Sequence, residues 1–312
     1  MVNLKLLNNN ESTLKSGLTN YYMKYLYLLL LFLPLQALGQ IKLQDVTISS
    51  QRPKFVRLKG YYRSYQHNDS VLKYYVDGIV EYYINLKNEK VDIRMYSSRH
   101  LRNEELISKD KKRAFMLSDQ ATFRPWPEGK TFIEECRKKY AIQDSANVGY
   151  IKKASQIIGR VTTDSINKSC MIQMDMIPTY DKLTHNIFGF THEMKSDYFM
   201  EAYRLSDEDY YSFKNLLSQK TDQSYNYWHK KDSRKQLIHV VTELFITEQE
   251  YVDGKKKEAG QKLQPQEAAQ AIEDFISENR LPSLPAVVQV EMKKLQFYDP
   301  SNLNKKTATG SN

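Results

Sequence analysis

The chain has 312 residues, with 46 Lys and Arg, 37 Asp and Glu, and 23 Tyr. Its formal charge of +9 is dispersed among many acids, and the longest basic run, Lys255-Lys256-Lys257, sits beside Gly254 in a loop-like context. That pattern describes a solvated surface and argues against a nucleic-acid-binding face.

The first readable feature is "MKYLYLLLLFLPLQALGQ" at 23 to 40. Its apolar core, Tyr25 to Leu35, is shorter than the ~20 residues that cross ~30 Å of hydrocarbon. Lys24 precedes it, and Ala37 and Gly39 are small residues at the −3 and −1 positions of a cut before Gln40. These are the parts of a secretory signal peptide. The expectation is a leader at 1–39 with Met23 as initiator, cleavage after Gly39, a periplasmic or secreted mature chain, and no stable membrane span after cleavage. About 270 residues then remain, enough for one large domain over 40–299. An uncleaved anchor is the alternative.

Strand patterning begins in "KFVRLKGYYRSYQ", where Val56, Leu58 and Tyr62 alternate with Arg57, Lys59 and Arg63. "HNDS" at 67–70 has turn chemistry. "VLKYYVDGIVEYYINL" then places Leu72, Tyr74, Val76, Val80, Tyr82 and Ile84 in one phase of a period of two, which predicts a long strand with a bulge or bend at Gly78. "KNEK" turns the chain into "VDIRMYSS", completing a three-strand meander whose short links require antiparallel pairing.

From 101 to 156 the pattern weakens. "RNEELISKDKKRAFML" is a loop or short helix, "FRPWPEGK" is fixed by Pro125 and Pro127, and "KTFIEECRKKY" has helical spacing. "IIGRVTTDS" and "KSCMIQMDMIP" predict two strands about a turn at Ile166-Asn167, with Cys170, Ile172, Met174 and Met176 sharing a face. "IFGFTHEMKSDYFMEAYRLS" continues the sheet to about residue 204. "SDEDYYSFKNLLSQ" predicts a helix opened by Ser206 with acids in its first turn. A long strand is expected over 234–253, a helix opened by Pro265, and a last strand after Pro282 and Pro285. The polar tail, 300–312, predicts disorder. Together these give an α+β fold: a mostly antiparallel, strongly twisted sheet with a few helices.

The stretch "YYRSYQHNDSVLKYYVDGIVEYYINLKNEKVDIRMYSSRHLRNEE", residues 61–105, resembles a segment of exported Bacteroidetes cell-envelope proteins of uncharacterised function. It matches on Tyr61-Tyr62-Arg63, on the strand from Tyr74 to Tyr83, and on Ser98-Arg99. The resemblance implies an envelope location and no reaction.

Catalytic motifs are sparse. "THEMKSD" holds His192-Glu193, but the zinc-protease motif needs a second His four residues after the first, and residue 196 is Ser. His185 lies seven residues earlier, a spacing with no metal logic of its own. There is no G-x-S-x-G elbow and no phosphate loop. Carboxylate pairs leave no spacing signal, so Asp175, Glu193, Asp197, Glu201 and Glu243 form the shortlist for an exported hydrolase. Cys136 and Cys170 lack metal-ligand spacing and are either one disulfide or buried thiols. The reading preferred here is a non-enzymatic, cofactor-free envelope protein. Its aromatic sheet face, with Tyr74, Tyr82, Met174 and Met176 as lining residues, would take an apolar or glycan ligand or an envelope protein partner.

Overall fold

Among the described residues twelve strands join a single sheet, and every pairing is antiparallel. The computed structural model describes residues 52–110, 131–143, 148–205, 211–255 and 265–298. The leader, the Pro125–Pro127 segment, the proposed helix start at Ser206 and the tail lie outside them.

The meander expected near the amino end is present as β1 (Phe55–Asn68), β2 (Val71–Asn85) and β3 (Val91–Arg102). A second run follows: β4 (Ala141–Gln143), β5 (Val148–Lys153), β6 (Gln156–Asp164), β7 (Ser169–Asp175), β8 (Thr184–Ile187), β9 (Phe190–Arg204), β10 (Leu216–His229) and β11 (Gln236–Val252). The spatial order is β12-β3-β2-β1-β11-β10-β9-β7-β6-β5-β4, where β12 is the two-residue strand Gln296–Phe297 and β8 pairs on the side of β9. The two runs are joined where β1 pairs β11 along the whole length of β1.

The expected α+β class is overturned: the protein is essentially all-β. The described helices are α1 (Glu104–Asp110), α2 (Phe132–Lys139), α3 (Pro265–Glu278) and α4 (Ala286–Met292). Only α3 exceeds eight residues, so the helices plug gaps on a sheet and build no layer of their own. Two element readings also fail. Over the described part of the supposed helix opened by Ser206, the chain makes a 3-10 turn, Phe213–Asn215, and enters β10 at Leu216. Pairing with β9 on one side and β11 on the other overrides the three-and-four spacing of the apolar residues. The expected last strand is mostly α4, which starts after Pro285, while strand pairing is confined to β12.

The sheet curls so that one face becomes an interior. Val56, Leu58 and Tyr62 of β1 and Val80, Tyr82 and Ile84 of β2 share one apolar cluster with Ile151 of β5, Ile158 of β6 and Ile172 and Met174 of β7. Gly78 permits close packing there, since a Cβ would lie 2.3 Å from the Ser97 carbonyl oxygen and 2.8 Å from the Tyr62 ring. Helix α2 closes the interior. Its first amides are capped by a carboxylate from a distant strand: Glu201 of β9 accepts from Phe132 N at 2.7 Å and Ile133 N at 3.2 Å, and also from Gln219 Nε2 and the Tyr203 hydroxyl. Burial pushes the pKa of this fully enclosed carboxyl up, and the donors oppose that rise.

Candidate functional site

The outer face of the sheet carries one continuous row of side chains. Register places Tyr150 of β5 opposite Arg160, then Gln173, Met200, Lys220, Glu243, Arg63, Asp77 and finally Arg99 of β3. The row alternates in charge from Lys220 onward, and directly opposed strand residues interact.

Its β3 end is sealed. Asp77 is fully buried and accepts from Arg99 Nε at 2.9 Å, Arg99 Nη2 at 2.6 Å, the Tyr75 hydroxyl at 2.8 Å and the Tyr61 hydroxyl at 3.1 Å. Arg99 reaches on to Glu273 of α3 at 2.8 Å. Arg63 bonds Glu243 at 2.5 Å and donates to the Pro282 carbonyl at 2.7 Å, gripping the segment between α3 and α4. Burial pushes the Tyr61 and Tyr75 phenols up, and the Asp77 charge pushes them further. Around these charges Ile272 and Phe275 of α3 pack on Tyr61 and Ile79, and Val288 of α4 packs on Tyr65, Leu72, Tyr75 and Leu101. This half of the row docks the carboxyl-terminal helices.

The other half is open. Across β5, β6, β7, β9 and β10 lies a trough of about 610 Å³. Tyr150 is 42% exposed, Ile157 55% and Tyr198 53%. Tyr198 has Asp175 opposite it on β7 and Asp222 opposite it on β10. Arg160 is held by Gln173 at 2.7 Å, and Lys220 lies 3.7 Å from both Asp222 and Glu243. Two cations and two carboxylates therefore fringe an apolar floor, with no net excess of either sign. Asp222 is bonded to His239 Nε2 at 2.8 Å, and this hydrogen bond holds its carboxyl below the usual range. A general acid requires the opposite shift.

Of the four expected lining residues, Met174 alone contributes to the trough, at its edge. Met174 and Tyr82 belong to the interior cluster, where Tyr82 stacks edge-on against Phe213 at 5.0 Å and Met174 Sδ lies 3.6 Å from Cys136 Sγ. Met176 is half-buried against the same cluster. Tyr74 is buried near the β3 edge, 6.4 Å from the Tyr298 ring. The two cysteines are separate buried thiols: Cys170 Sγ lies 4.0 Å from the Tyr211 hydroxyl.

The carboxylate shortlist does not converge. Glu193 lies on the outer face, held down to about 2 by Lys195, Asn226 and Lys235. Asp197 is buried and accepts from the Tyr180 hydroxyl and Gln223 Nε2. Glu201 caps α2, Glu243 serves the buried row, and Asp175 fringes the trough. His192 and His185 face each other across the β8–β9 hairpin, on strands where the helical zinc motif has no geometry. Among the described residues no three His, Cys, Asp or Glu side chains are grouped to hold a metal ion, and no helix is long and apolar enough to cross a membrane.

The trough residues were readable by one signal. Tyr150, Ile157 and Tyr198 are large apolar groups in the solvent phase of their strands, out of step with buried neighbours such as Ile151, Ile158 and Phe199.

No protein-family model matches the chain, and no curated protein matches it. A solved structure of lipovitellin, concerned with lipid–protein interactions in that protein, aligns with a TM-score of 0.29 and 7% identity. The alignment covers 68% of this chain and 27% of that one, so this chain spans about a quarter of its length. A likeness of that size places the chain in no family.

Proposed function

We propose that this is an exported envelope protein that binds, without catalysis, a saccharide in the outer trough. The carrying observation is the Tyr198 ring, half exposed on a strand interior and set between the Asp175 and Asp222 positions. A sugar ring offers a flat apolar face and a rim of hydroxyls. Tyrosine rings complement the first, and the carboxylates, amide and cations of the fringe complement the second. An acyl chain fits less well, because apolar ligands are held where most of their surface leaves water, and this trough is open along its length. The export leader and the segment at 61–105 support an envelope location.

The test is a glycan array followed by calorimetry on the full chain and on a Tyr150→Thr/Tyr198→Thr variant. Binding to at least one oligosaccharide is expected, weakened about tenfold or more in the variant by loss of ring contacts. A chain that ignores the whole panel, or a variant that binds as well as its parent, overturns the reading.

A further inference from the structure

The end of the sheet carrying the β8–β9 turn presents a second feature, independent of the trough. Ile187 pairs with Phe190 across a two-residue turn made of Phe188 and Gly189. Both turn residues have positive φ, 52° and 84°, the pattern of a type I′ turn. Glycine adopts that conformation freely, but a bulky aromatic at the first position is a conformational outlier. Phe188 is nevertheless 87% exposed and Ile187 62%. An unfavourable backbone conformation thus holds a phenylalanine out in water, where it contributes nothing to the core. Strain of this kind concentrates at functional positions.

The surroundings are basic. The β10–β11 connection reaches the same end: Lys230 N donates to the Gly189 carbonyl at 2.8 Å, and the Lys230 side chain lies beneath the turn, within 3.3 Å of where a Gly189 Cβ would be. Lys231 follows it, exposed. Arg234 and Lys235 complete the connection, and Arg234 pairs with Asp69 in the β1–β2 turn. Lys195 and Lys235 flank Glu193, and Lys235 also lies over the Trp228 ring at 4.2 Å. Neither Lys230 nor Lys231 has an ion-pair partner among the described residues.

We infer that the Ile187–Phe188 tip is a docking finger for an anionic lipid surface. The two apolar side chains enter the interfacial region while Lys230, Lys231 and their neighbours meet the headgroup phosphates. Phe and aliphatic side chains bury at the headgroup–acyl boundary when basic residues flank them, and each nearby Lys or Arg adds attraction to anionic lipid. Charge complementarity selects this occupant: an apolar finger meeting its own equivalent on a second copy of the chain would bring two lysine clusters together.

Residues 25–35 are themselves apolar, so the readout must sit at the tip. Phe188→Trp in the full chain reports its own environment as the emission difference from the parent. With phosphatidylglycerol vesicles the difference spectrum should shift to the blue and be quenched by acyl-brominated lipid. With pure phosphatidylcholine it should stay water-like. Lys230→Gln/Lys231→Gln on the same background should raise the lipid concentration for half-maximal shift on the order of tenfold. Three results overturn the inference: emission unmoved by anionic vesicles, an equal shift with the neutral ones, or a shift that follows protein concentration without lipid, which would mean that a second copy covers the tip.

Discussion

The outer face of this sheet carries one row of side chains in two settings, and the halves differ less in composition than in cover. From Glu243 to Arg99 the row is buried under α3, α4 and the segment between them. From Tyr150 to Lys220 nothing described lies over it. Both halves hold tyrosines, arginines and aspartates at opposed positions. In the covered half each charge has partners that saturate it: Asp77 receives four hydrogen bonds, and Arg63 and Arg99 each reach a carboxylate and the helical segment above. In the open half Arg160 is held, among the described residues, by an amide alone, and Lys220 sits at long range from its acids. A charge–tyrosine row is therefore structural where a second element completes its hydrogen bonds, and left open where none of the described elements does.

The largest effect should come from breaking the covered half. Asp77→Ala removes the acceptor of Arg99, Tyr61 and Tyr75 and leaves a buried guanidinium whose one remaining carboxylate among the described residues is the half-exposed Glu273. Loss of one member of a buried pair costs about 3–5 kcal/mol. Urea denaturation should register that loss, with α3 becoming the first segment to exchange its amide hydrogens. An Asp77→Ala protein as stable as its parent would erase the distinction between the halves.

Much of this division was hidden in the sequence for a physical reason. Period two in 71–85 announces β2, and Tyr74, Val76, Val80, Tyr82 and Ile84 do face inward. The opposite phase, Tyr75, Asp77, Ile79, Glu81 and Tyr83, reads as the solvent side yet is buried. What covers it arrives from far along the chain: Glu273 is separated from Arg99 by 174 positions. Alternation reports which residues share a face, and says nothing about whether a later helix lands on it. β10 was missed for a related reason. "LLSQKTDQSYNYWH" has too few apolar residues to declare a strand, and its state is imposed by partners on both edges. The reverse error occurred at α4, where Val287, Val288 and Val290 carry strand propensity but follow Pro285 into a helical turn. At the site, the rings and sulfurs that alternate with the polar residues lie in the buried phase, whereas the exposed rings Tyr150 and Tyr198 are those in the other phase.

A pH dependence, directional and smaller, should sharpen the comparison. His67 lies at the covered end, and burial lowers its pKa, reinforced by His239 stacked 6.2 Å away, while Glu291 of α4 opposes the shift. His192 is lowered for the same first reason, with His185 adding to it. A histidine whose folded pKa is depressed binds its proton more readily in the unfolded chain. Stability should therefore be full above the ordinary value of 6.5 and decline as pH falls through it toward the depressed folded values. His67→Gln should flatten part of that decline in urea midpoints taken between pH 7.5 and 5. A slope unchanged by the substitution would assign the decline elsewhere.

The smallest effect belongs to the open half, and it is the most discriminating. Tyr198→Thr introduces a β-branched, strand-compatible residue and removes a ring that is half in water and has no share in the interior cluster. Surface changes of this sort stay within about 0.5 kcal/mol. If thermal and urea midpoints hold to that margin, the fold does not require the ring, and its place between Asp175 and Asp222 needs a reason other than stability. A loss approaching that of Asp77→Ala would mean that Tyr198 is packed in solution against something, and that the open half of the row is covered after all.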